Sequence, residues 1–357
     1  MYKNRILALT FFSCFSFLFD CGINSIVAQI PQKANNQKRF ESFKVSRKEL
    51  LVYFESVIRD SLVIVGQHSG DGFNTPEFFD KYFLPLQKET NSVPLLIGLE
   101  YGWHANNDLN MINSYGINHA KKGGLVTVTW HVDDPFADGY TPRRDPIKDK
   151  VDVTKLLKNA PDSQEKKNYR NELMSVGDAL KQFKHEGIIV LWRPLHEMNG
   201  SWYWWGANDK INPSNRKDYI ALWKDMYETF TQELKLDNLI WVYGPNAMSP
   251  GYTQPVDYYY PGDQYVDIVG VDIYSKVPVF KDYETLKKLN KIVVVSEIGP
   301  SREGYGKYDE MELIAKLKGK AAWFLQWHSW RNADVAIIDN VRFREMMNDP
   351  SAITLKY

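Results

Sequence analysis

The sequence predicts an α/β protein, a single-domain (β/α)8 TIM barrel, from three observations. Short runs rich in β-branched residues recur along the chain, longer amphipathic stretches separate them, and polar or aromatic residues follow them. Alternating strands and helices are typical of a parallel sheet, and eight such units in one domain fit a closed barrel. An open doubly wound sheet has a similar number of units, but the length of 357 residues suits one large barrel domain.

Each predicted strand is a short apolar run, as expected for a strand buried on both faces. In chain order the eight runs are Leu62–Gly66, Leu95–Leu99, Leu125–Trp130, Ile188–Trp192, Leu239–Tyr243, Val266–Val271, Ile292–Val295 and Ala321–Leu325. The amphipathic stretches between them predict helices that include Asn168–His185, Arg216–Leu234 and Tyr283–Leu289.

Polar and aromatic side chains are concentrated directly after the predicted strands. They are Gln67–His68, Glu100–Tyr101, His131, His196–Glu197, Asn246, Asp272–Tyr274, Glu297, Trp327 and Trp330. The carboxyl ends of barrel strands meet at one rim, which is where the catalytic sites of this fold lie. The sequence therefore predicts an active site at that rim.

The first 28 residues are predicted to be a signal peptide. An apolar run from Ile6 to Phe19 is too short for a stable membrane anchor, and Ala28 supplies the small residue that signal peptidase prefers. A less favoured alternative is a lipoprotein with an acylated Cys21, because the bulky Phe19 and the acidic Asp20 precede that cysteine. The protein is therefore expected to be exported to the periplasm or the extracellular space.

The mature chain is predicted to begin with a short disordered lead. Residues 29–39 are polar and rich in Gln and Asn, and residues 40–357 are assigned to the catalytic barrel. Both cysteines, Cys14 and Cys21, lie in or beside the signal peptide. After cleavage, no thiol is left for a disulfide, a metal site or a nucleophile.

The charge pattern excludes several classes of partner. Formal net charge is zero and the chain has no long basic run, so nucleic acid and acidic lipid are not expected ligands. The seven histidines show no close paired spacing like that of a helical zinc motif. We therefore expect no metal, no cofactor and no partner protein needed for catalysis.

The segment Leu191–Gly206 contains the first candidate catalytic residue. Glu197 follows a buried strand, and within eight residues it is followed by Trp202, Trp204 and Trp205. Aromatic rings stack on sugar rings, and burial beside them favours the protonated form of a carboxyl group. Glu197 is thus predicted to donate a proton to a leaving oxygen; the alternative is that it pairs with Arg193 in the barrel core.

The second candidate is Glu297, which ends the apolar run Ile292–Val295 and precedes a Gly-Pro turn. Strands four and seven of one barrel would deliver Glu197 and Glu297 to the same rim. Two carboxyl groups about 5 to 5.5 Å apart are the arrangement of a retaining glycoside hydrolase, in which one is the nucleophile and the other the acid/base.

The chain resembles glycoside hydrolase family 26, which consists mostly of β-mannanases with a (β/α)8 fold. The resemblance covers essentially the whole mature chain and is closest in Trp192–Glu197 and Gly200–Gly206. It includes His196, because this family has His before the acid/base Glu where most members of its clan have Asn.

The resemblance implies roles for ten residues. Glu197 is similar to the proton donor and Glu297 to the nucleophile, while Tyr274 is similar to the residue that hydrogen-bonds the nucleophile. Substrate-binding roles are implied for the remaining positions: Glu100, His131, His196, Trp202, Trp327, Trp330 and Arg331. The family's Trp-Arg-Asn run matches residues 330–332, but Trp327 is nearer the strand end and is a second candidate for the sugar platform.

The family resemblance implies a β-mannan substrate. The expected reaction is hydrolysis of β-1,4-mannosidic bonds in mannan, glucomannan or galactomannan with retention of configuration, by internal cleavage or by release of short products. Alternatives are hydrolysis of mixed-linkage β-glucan or β-1,3-xylan within the same family, and a non-catalytic glycan-binding barrel.

Overall fold

Eight parallel strand positions surround the core of the protein. The structure is a computed structural model, and it describes residues 45–102, 107–137, 141–145, 149, 151–207 and 215–356. The barrel strands, numbered in chain order, are β1 Val63–His68, β2 Leu96–Gly102, β3 Leu125–His131, β4 Val190–Pro194, β5 Leu239–Tyr243, β6 Ile268–Val269 with Asp272–Ser275, β7 Ile292–Val293 with Val295–Pro300, and β8 Trp323–Gln326. The predicted signal peptide, with Cys14 and Cys21, and the lead at 29–39 lie outside the described residues.

Parallel pairing closes the barrel. Each strand pairs with the next along the chain, β6 and β7 pair through both of their segments, and β8 pairs with β1. Outside this ring, Ala352–Leu355 pairs with β1 and with the two-residue strand Val93–Pro94. The predicted single-domain (β/α)8 fold is confirmed.

Helices cover the outside of the sheet. They are α1 Arg47–Arg59, α2 Thr75–Phe78, α3 Leu84–Thr90, α4 Leu109–Lys121, α5 Gln164–His185, α6 Asn215–Glu228, α7 Tyr283–Lys287, α8 Glu310–Leu317 and α9 Phe343–Met347. Side chains fix several of their starts: in α1, Ser46 and Glu49 each accept a backbone N–H of the other. Among the described residues, no helix has the length and apolar character needed to cross a bilayer.

Two differences from the predicted elements affect the rim. Strands β1 and β2 run past their predicted ends at Gly66 and Leu99, so that His68 and Glu100 lie within strands and point their side chains into buried surroundings. Strand β6 is interrupted after Val269, where a Cβ on Gly270 would lie 2.4 Å from Ser296 Oγ. The close approach of a β7 side chain to the β6 backbone therefore interrupts the predicted run Val266–Val271.

Candidate active site

A cavity of about 740 Å³ opens at the carboxyl ends of the barrel strands. Seven of the ten predicted site residues line it: His131, Glu197, Trp202, Tyr274, Glu297, Trp327 and Trp330. The other lining residues are Asp71, Arg143, Tyr203, Asn246, Pro300, Ser301, Tyr305 and His328. The fold thus brings most of the predicted site together at the expected rim.

Three predicted site residues do not line this cavity within the described part of the chain. Glu100 and His196 are buried beneath it, and their exposed fractions are 0% and 1%. Arg331 follows Trp330 on the exposed surface. A substrate-binding role for these three stays a prediction.

Glu197 occupies a tight turn after β4. Leu195 and Glu197 have φ values of 47° and 53°, a left-handed backbone that is uncommon for residues with a Cβ. The turn directs the Glu197 carboxylate into the cavity, where Oε1 accepts from Asn246 Nδ2 at 2.6 Å and Oε2 accepts from Trp202 Nε1 at 2.7 Å. Two neutral donors therefore fix the orientation of this carboxyl group.

The surroundings of Glu197 favour its protonated form. Burial raises its pKa to about 7, with a further contribution from the charge of Glu297, although the hydrogen bonds from Asn246 and Trp202 lower it. A carboxylic acid that remains protonated near neutral pH can donate a proton to a leaving oxygen.

Glu297 has a different environment, in the middle of the second β7 segment. Its Oε2 accepts from Arg193 Nη2 at 2.7 Å, and its Oε1 accepts from the Tyr274 hydroxyl at 2.5 Å. The guanidinium group supplies a positive charge that stabilises the ionised carboxylate. Tyr274 and Arg193 together hold both oxygens, as a nucleophile of defined direction requires.

Arg193 is the centre of a buried polar cluster. Its Nη1 donates to Asp272 Oδ2 at 2.6 Å and its Nη2 donates to Thr129 Oγ1 at 3.0 Å, in addition to Glu297. The alternative prediction, in which Glu197 pairs with Arg193 in the barrel core, is wrong. Strand β4 directs the guanidinium into the barrel, whereas the following turn carries Glu197 out to the cavity.

Among the described residues, His196, Asp272 and Glu297 place possible metal-ligand atoms within 4.8 Å of one another. Arg193 already donates to both carboxylates of this group, so its guanidinium supplies the positive charge that a metal would bring. A cation added there would be repelled by Arg193. This cluster therefore positions Glu297 and is poorly suited to hold a metal.

The tryptophans after Glu197 divide between the cavity and the core. Trp202 lines the cavity, whereas Trp204 and Trp205 are fully buried and donate to the carbonyl oxygens of Val132 and His196 at 3.0 and 2.8 Å. Of the three tryptophans that follow Glu197 in sequence, only Trp202 lines the cavity, and its role in sugar binding stays a prediction. The other two donate to backbone carbonyl oxygens and so fix the loop that carries Glu197.

Two tryptophans follow β8, and they differ in exposure. One face of Trp327 stacks on His68 at 3.6 Å between ring centroids, and only 7% of the residue is exposed. Trp330 is 43% exposed and packs edge-on against Tyr274 and Tyr305. Trp330 thus offers the larger free ring surface, and Trp327 forms part of the cavity floor.

His131 is held by groups on both sides of its ring. Its Nδ1 lies 2.8 Å from Glu100 Oε1, and its Nε2 lies 3.0 Å from the Tyr203 hydroxyl. Burial is the main cause that raises the pKa of Glu100 and lowers the pKa of His131, each well away from its usual value. Neutral forms of both groups suit a buried support for Tyr203, which lines the cavity.

Sequence reasoning gave no role to several residues that shape this site. Asn246, noted only as a polar residue after β5, binds the proposed acid, while Arg143, Tyr203 and Asp71 line the cavity. Asn246 directly follows Pro245 at a strand exit, which is the kind of position that could have indicated a site residue. Arg143 and Tyr203 lie in loops with no such signal.

Tyr274→Phe is expected to lower kcat about tenfold, the cost of one hydrogen bond to a charged group. The change removes only the hydroxyl that orients Glu297. Steady-state kinetics on a soluble polysaccharide substrate would measure it, with the melting temperature as a check on folding. Tyr305→Phe is a matched control, because Tyr305 lines the same cavity and packs on Trp330. Equal losses in both variants would contradict an orienting role for Tyr274.

A barrel in which burial raises the pKa of one carboxyl group to about 7 and a guanidinium binds a second, in an aromatic cleft, has the site of a glycoside hydrolase. The chain belongs to glycosyl hydrolase family 26, whose family model matches residues 43–356.

Curated relatives and solved structures agree with this assignment. "Mannan endo-1,4-beta-mannosidase A and B" of Caldalkalibacillus mannanilyticus is 34% identical over 67% of this chain and 48% of its own length. "Mannan endo-1,4-beta-mannosidase" of Bacillus subtilis is 34% identical over 68% of each chain. This chain thus spans about half the length of the first relative. The structure of Bacillus subtilis mannanase BCman covers 86% of this chain and 92% of its own, with a TM-score of 0.73 at 26% identity.

Proposed function

We propose that this protein hydrolyses β-1,4-mannosidic bonds in mannan, glucomannan or galactomannan, with retention of configuration. The observation that carries the proposal is the different environment of the two glutamates in one cavity: neutral donors and burial surround Glu197, whereas Arg193 and Tyr274 hold Glu297. The names of the curated relatives support mannan as the polysaccharide.

In the first step, Glu297 attacks the anomeric carbon of the sugar whose bond is cleaved. Glu197 donates its proton to the glycosidic oxygen, so that the C–O bond breaks and the leaving sugar departs as an alcohol. The product is a glycosyl ester on Glu297, and Glu197 is now a carboxylate. Arg193 stabilises Glu297 before the attack and its leaving carboxylate afterwards.

In the second step, a water molecule enters where the leaving sugar was bound. Glu197 takes a proton from this water, the oxygen attacks the anomeric carbon, and the ester bond to Glu297 breaks. Two inversions give net retention. Each glutamate returns to its starting protonation state, so no cofactor is consumed.

The proposal is tested by the products released over time from linear mannan, galactomannan, mixed-linkage β-glucan and β-1,3-xylan. We expect release from the two mannans, with β-configured reducing ends in early proton NMR spectra. A ladder of products would show internal cleavage, whereas one short product would show attack from a chain end. Preferential release of products from glucan or xylan would identify that polymer, rather than mannan, as the substrate. If no polymer releases products, a glycan-binding barrel is favoured.

We also propose that the protein is exported. The support is the short apolar run at residues 6–19 that follows two basic residues, together with Ala28 as the candidate cleavage position. A polymeric substrate is consistent with this location, because a polysaccharide does not readily enter a cell.

A further inference from the structure

A pair of buried histidines lies beside the cavity: His68 ends β1, and His328, which lines the cavity, follows β8. His68 Nδ1 and His328 Nδ1 are 3.0 Å apart, and the exposed fractions of the two residues are 0% and 1%. On the outer side, His328 Nε2 lies 3.0 Å from Asp71 Oδ1. Asp71 lines the cavity and its side chain is 34% exposed. The histidine pair therefore connects the barrel interior to a carboxylate in the cavity.

The contacts assign the direction of these hydrogen bonds. A carboxylate only accepts, so the proton at the Asp71 contact is on His328 Nε2. With neutral His328, its Nδ1 is an acceptor and the Nδ1–H of His68 donates to it. Burial, together with the neighbouring His328, lowers the pKa of His68 well below its usual value, which agrees with a neutral His68 ring. In this arrangement Asp71 Oδ1 accepts from the Nε2–H of His328.

Packing fixes the three residues in place. Trp327 stacks on His68 with ring centroids 3.6 Å apart, and the edge of Phe78 meets His328 at 5.0 Å between centroids. The backbone N–H of Asp71 donates to Asn74 Oδ1 at 2.7 Å. A carboxylate held at both its backbone and its side chain is prepared to bind a ligand with little loss of conformational entropy.

The strand order decides which part of a substrate meets Asp71. The acid Glu197 and its partners Asn246 and Trp202 follow β4 and β5, so the leaving sugar is on that side of the rim. Asp71 follows β1, which is across the closed barrel from β5. Asp71 therefore lies on the side of the rim opposite Glu197 and its partners.

We propose that Asp71 accepts hydroxyl groups of the second sugar on the non-leaving side, and that His328 and His68 are positioning residues that hold its carboxylate. Trp327 forms the floor of this subsite. The inference rests on the proposed β-mannoside hydrolysis. Asp71 would thereby contribute to specificity, because a sugar with a differently oriented hydroxyl would leave the carboxylate without its donor.

Dinitrophenyl β-mannoside and dinitrophenyl β-mannobioside test this subsite. Their leaving group needs no proton, so the rate at which Glu297 is glycosylated depends on contacts with the sugars on the non-leaving side. The mannobioside differs from the mannoside only by the second sugar. Asp71→Ala is expected to lower kcat/KM on the mannobioside about ten- to a hundredfold, the cost of a charged hydrogen bond, and to change the mannoside rate less than about threefold. Asp80→Ala is the matched control, because it removes an exposed carboxylate from the helical segment Phe79–Phe83, which does not line the described cavity.

Variants of His328 separate positioning from folding. His328→Gln retains an N–H donor that can reach Asp71 and is expected to preserve most of the mannobioside preference, whereas the shorter His328→Asn should lose it. Melting temperatures of both variants would be measured beside the rates. If the variants lose activity equally on both substrates, and in proportion to their lower melting temperatures, the positioning role of His328 is wrong.

Two other results would contradict the subsite or the proposed function. If Asp71→Ala changes neither substrate, or both alike, the second-sugar subsite is wrong while mannoside hydrolysis stands. If the wild-type protein hydrolyses neither mannoside nor any mannan, the proposed function fails, and the subsite inference fails with it.

Discussion

Glu297→Gln is expected to lower kcat on linear mannan by about ten-thousand-fold or more, as for the loss of an enzymatic nucleophile. The amide cannot form the glycosyl ester, and it removes the negative charge that faces Arg193 and Tyr274. Rates would be measured from reducing ends released by purified protein, with circular dichroism and melting temperature to verify the fold.

Glu310→Gln is a matched control for Glu297→Gln. Glu310 is a buried carboxyl group that accepts from Gln326 Nε2 at 2.7 Å, and burial raises its pKa to about 8. It does not line the described cavity, so the neutral amide should leave kcat unchanged. Similar losses in both variants would indicate that removal of a buried carboxyl group, rather than of the nucleophile, causes the effect.

Azide provides a direct test of the assignment of the two glutamates. In Glu297→Ala, azide can enter the vacated space and attack the anomeric carbon of an activated β-mannoside, which gives the α-mannosyl azide. In Glu197→Ala, azide attacks the ester on Glu297 and gives the β-mannosyl azide. Products of the opposite configurations would reverse the two roles.

Glu197→Gln is expected to lower kcat on mannan about a hundred- to ten-thousand-fold, the usual contribution of a general acid. The amide keeps the contact with Trp202 or Asn246 but has no proton to give to the leaving sugar. A dinitrophenyl mannoside should still form the glycosyl ester rapidly, giving a burst of dinitrophenol. Loss of that burst would contradict a role as acid.

The pH profile follows from the pKa of about 7 for Glu197, which burial and the Glu297 charge raise above the usual carboxyl value. The acid is active while protonated, so kcat/KM on mannan should fall as pH rises through about 7. Because a dinitrophenyl leaving group needs no proton, this alkaline limb should be absent from the glycosylation rate of the wild-type protein on the dinitrophenyl substrate. Persistence of the limb would assign it to another group.

Local sequence was sufficient to place both glutamates. Each follows or ends an apolar run, and the two runs were recognisable from their β-branched residues without knowledge of any distant contact. Since parallel barrel strands share one carboxyl-end rim, the fold class alone predicts that Glu197 and Glu297 meet. Burial could not be predicted as reliably, because Trp202, Trp204 and Trp205 look alike in sequence but only Trp202 lines the cavity.

The sequence by itself therefore determined the barrel, its active rim and the two candidate catalytic carboxyl groups, since these depend on periodicity and on neighbours along the chain. Only the tertiary structure decided which partner each group has. Arg193 binds Glu297 across 104 positions of sequence, and His68 meets His328 across 260. Such contacts depend on how strands close around the barrel and on which way each side chain points, and a local pattern specifies neither.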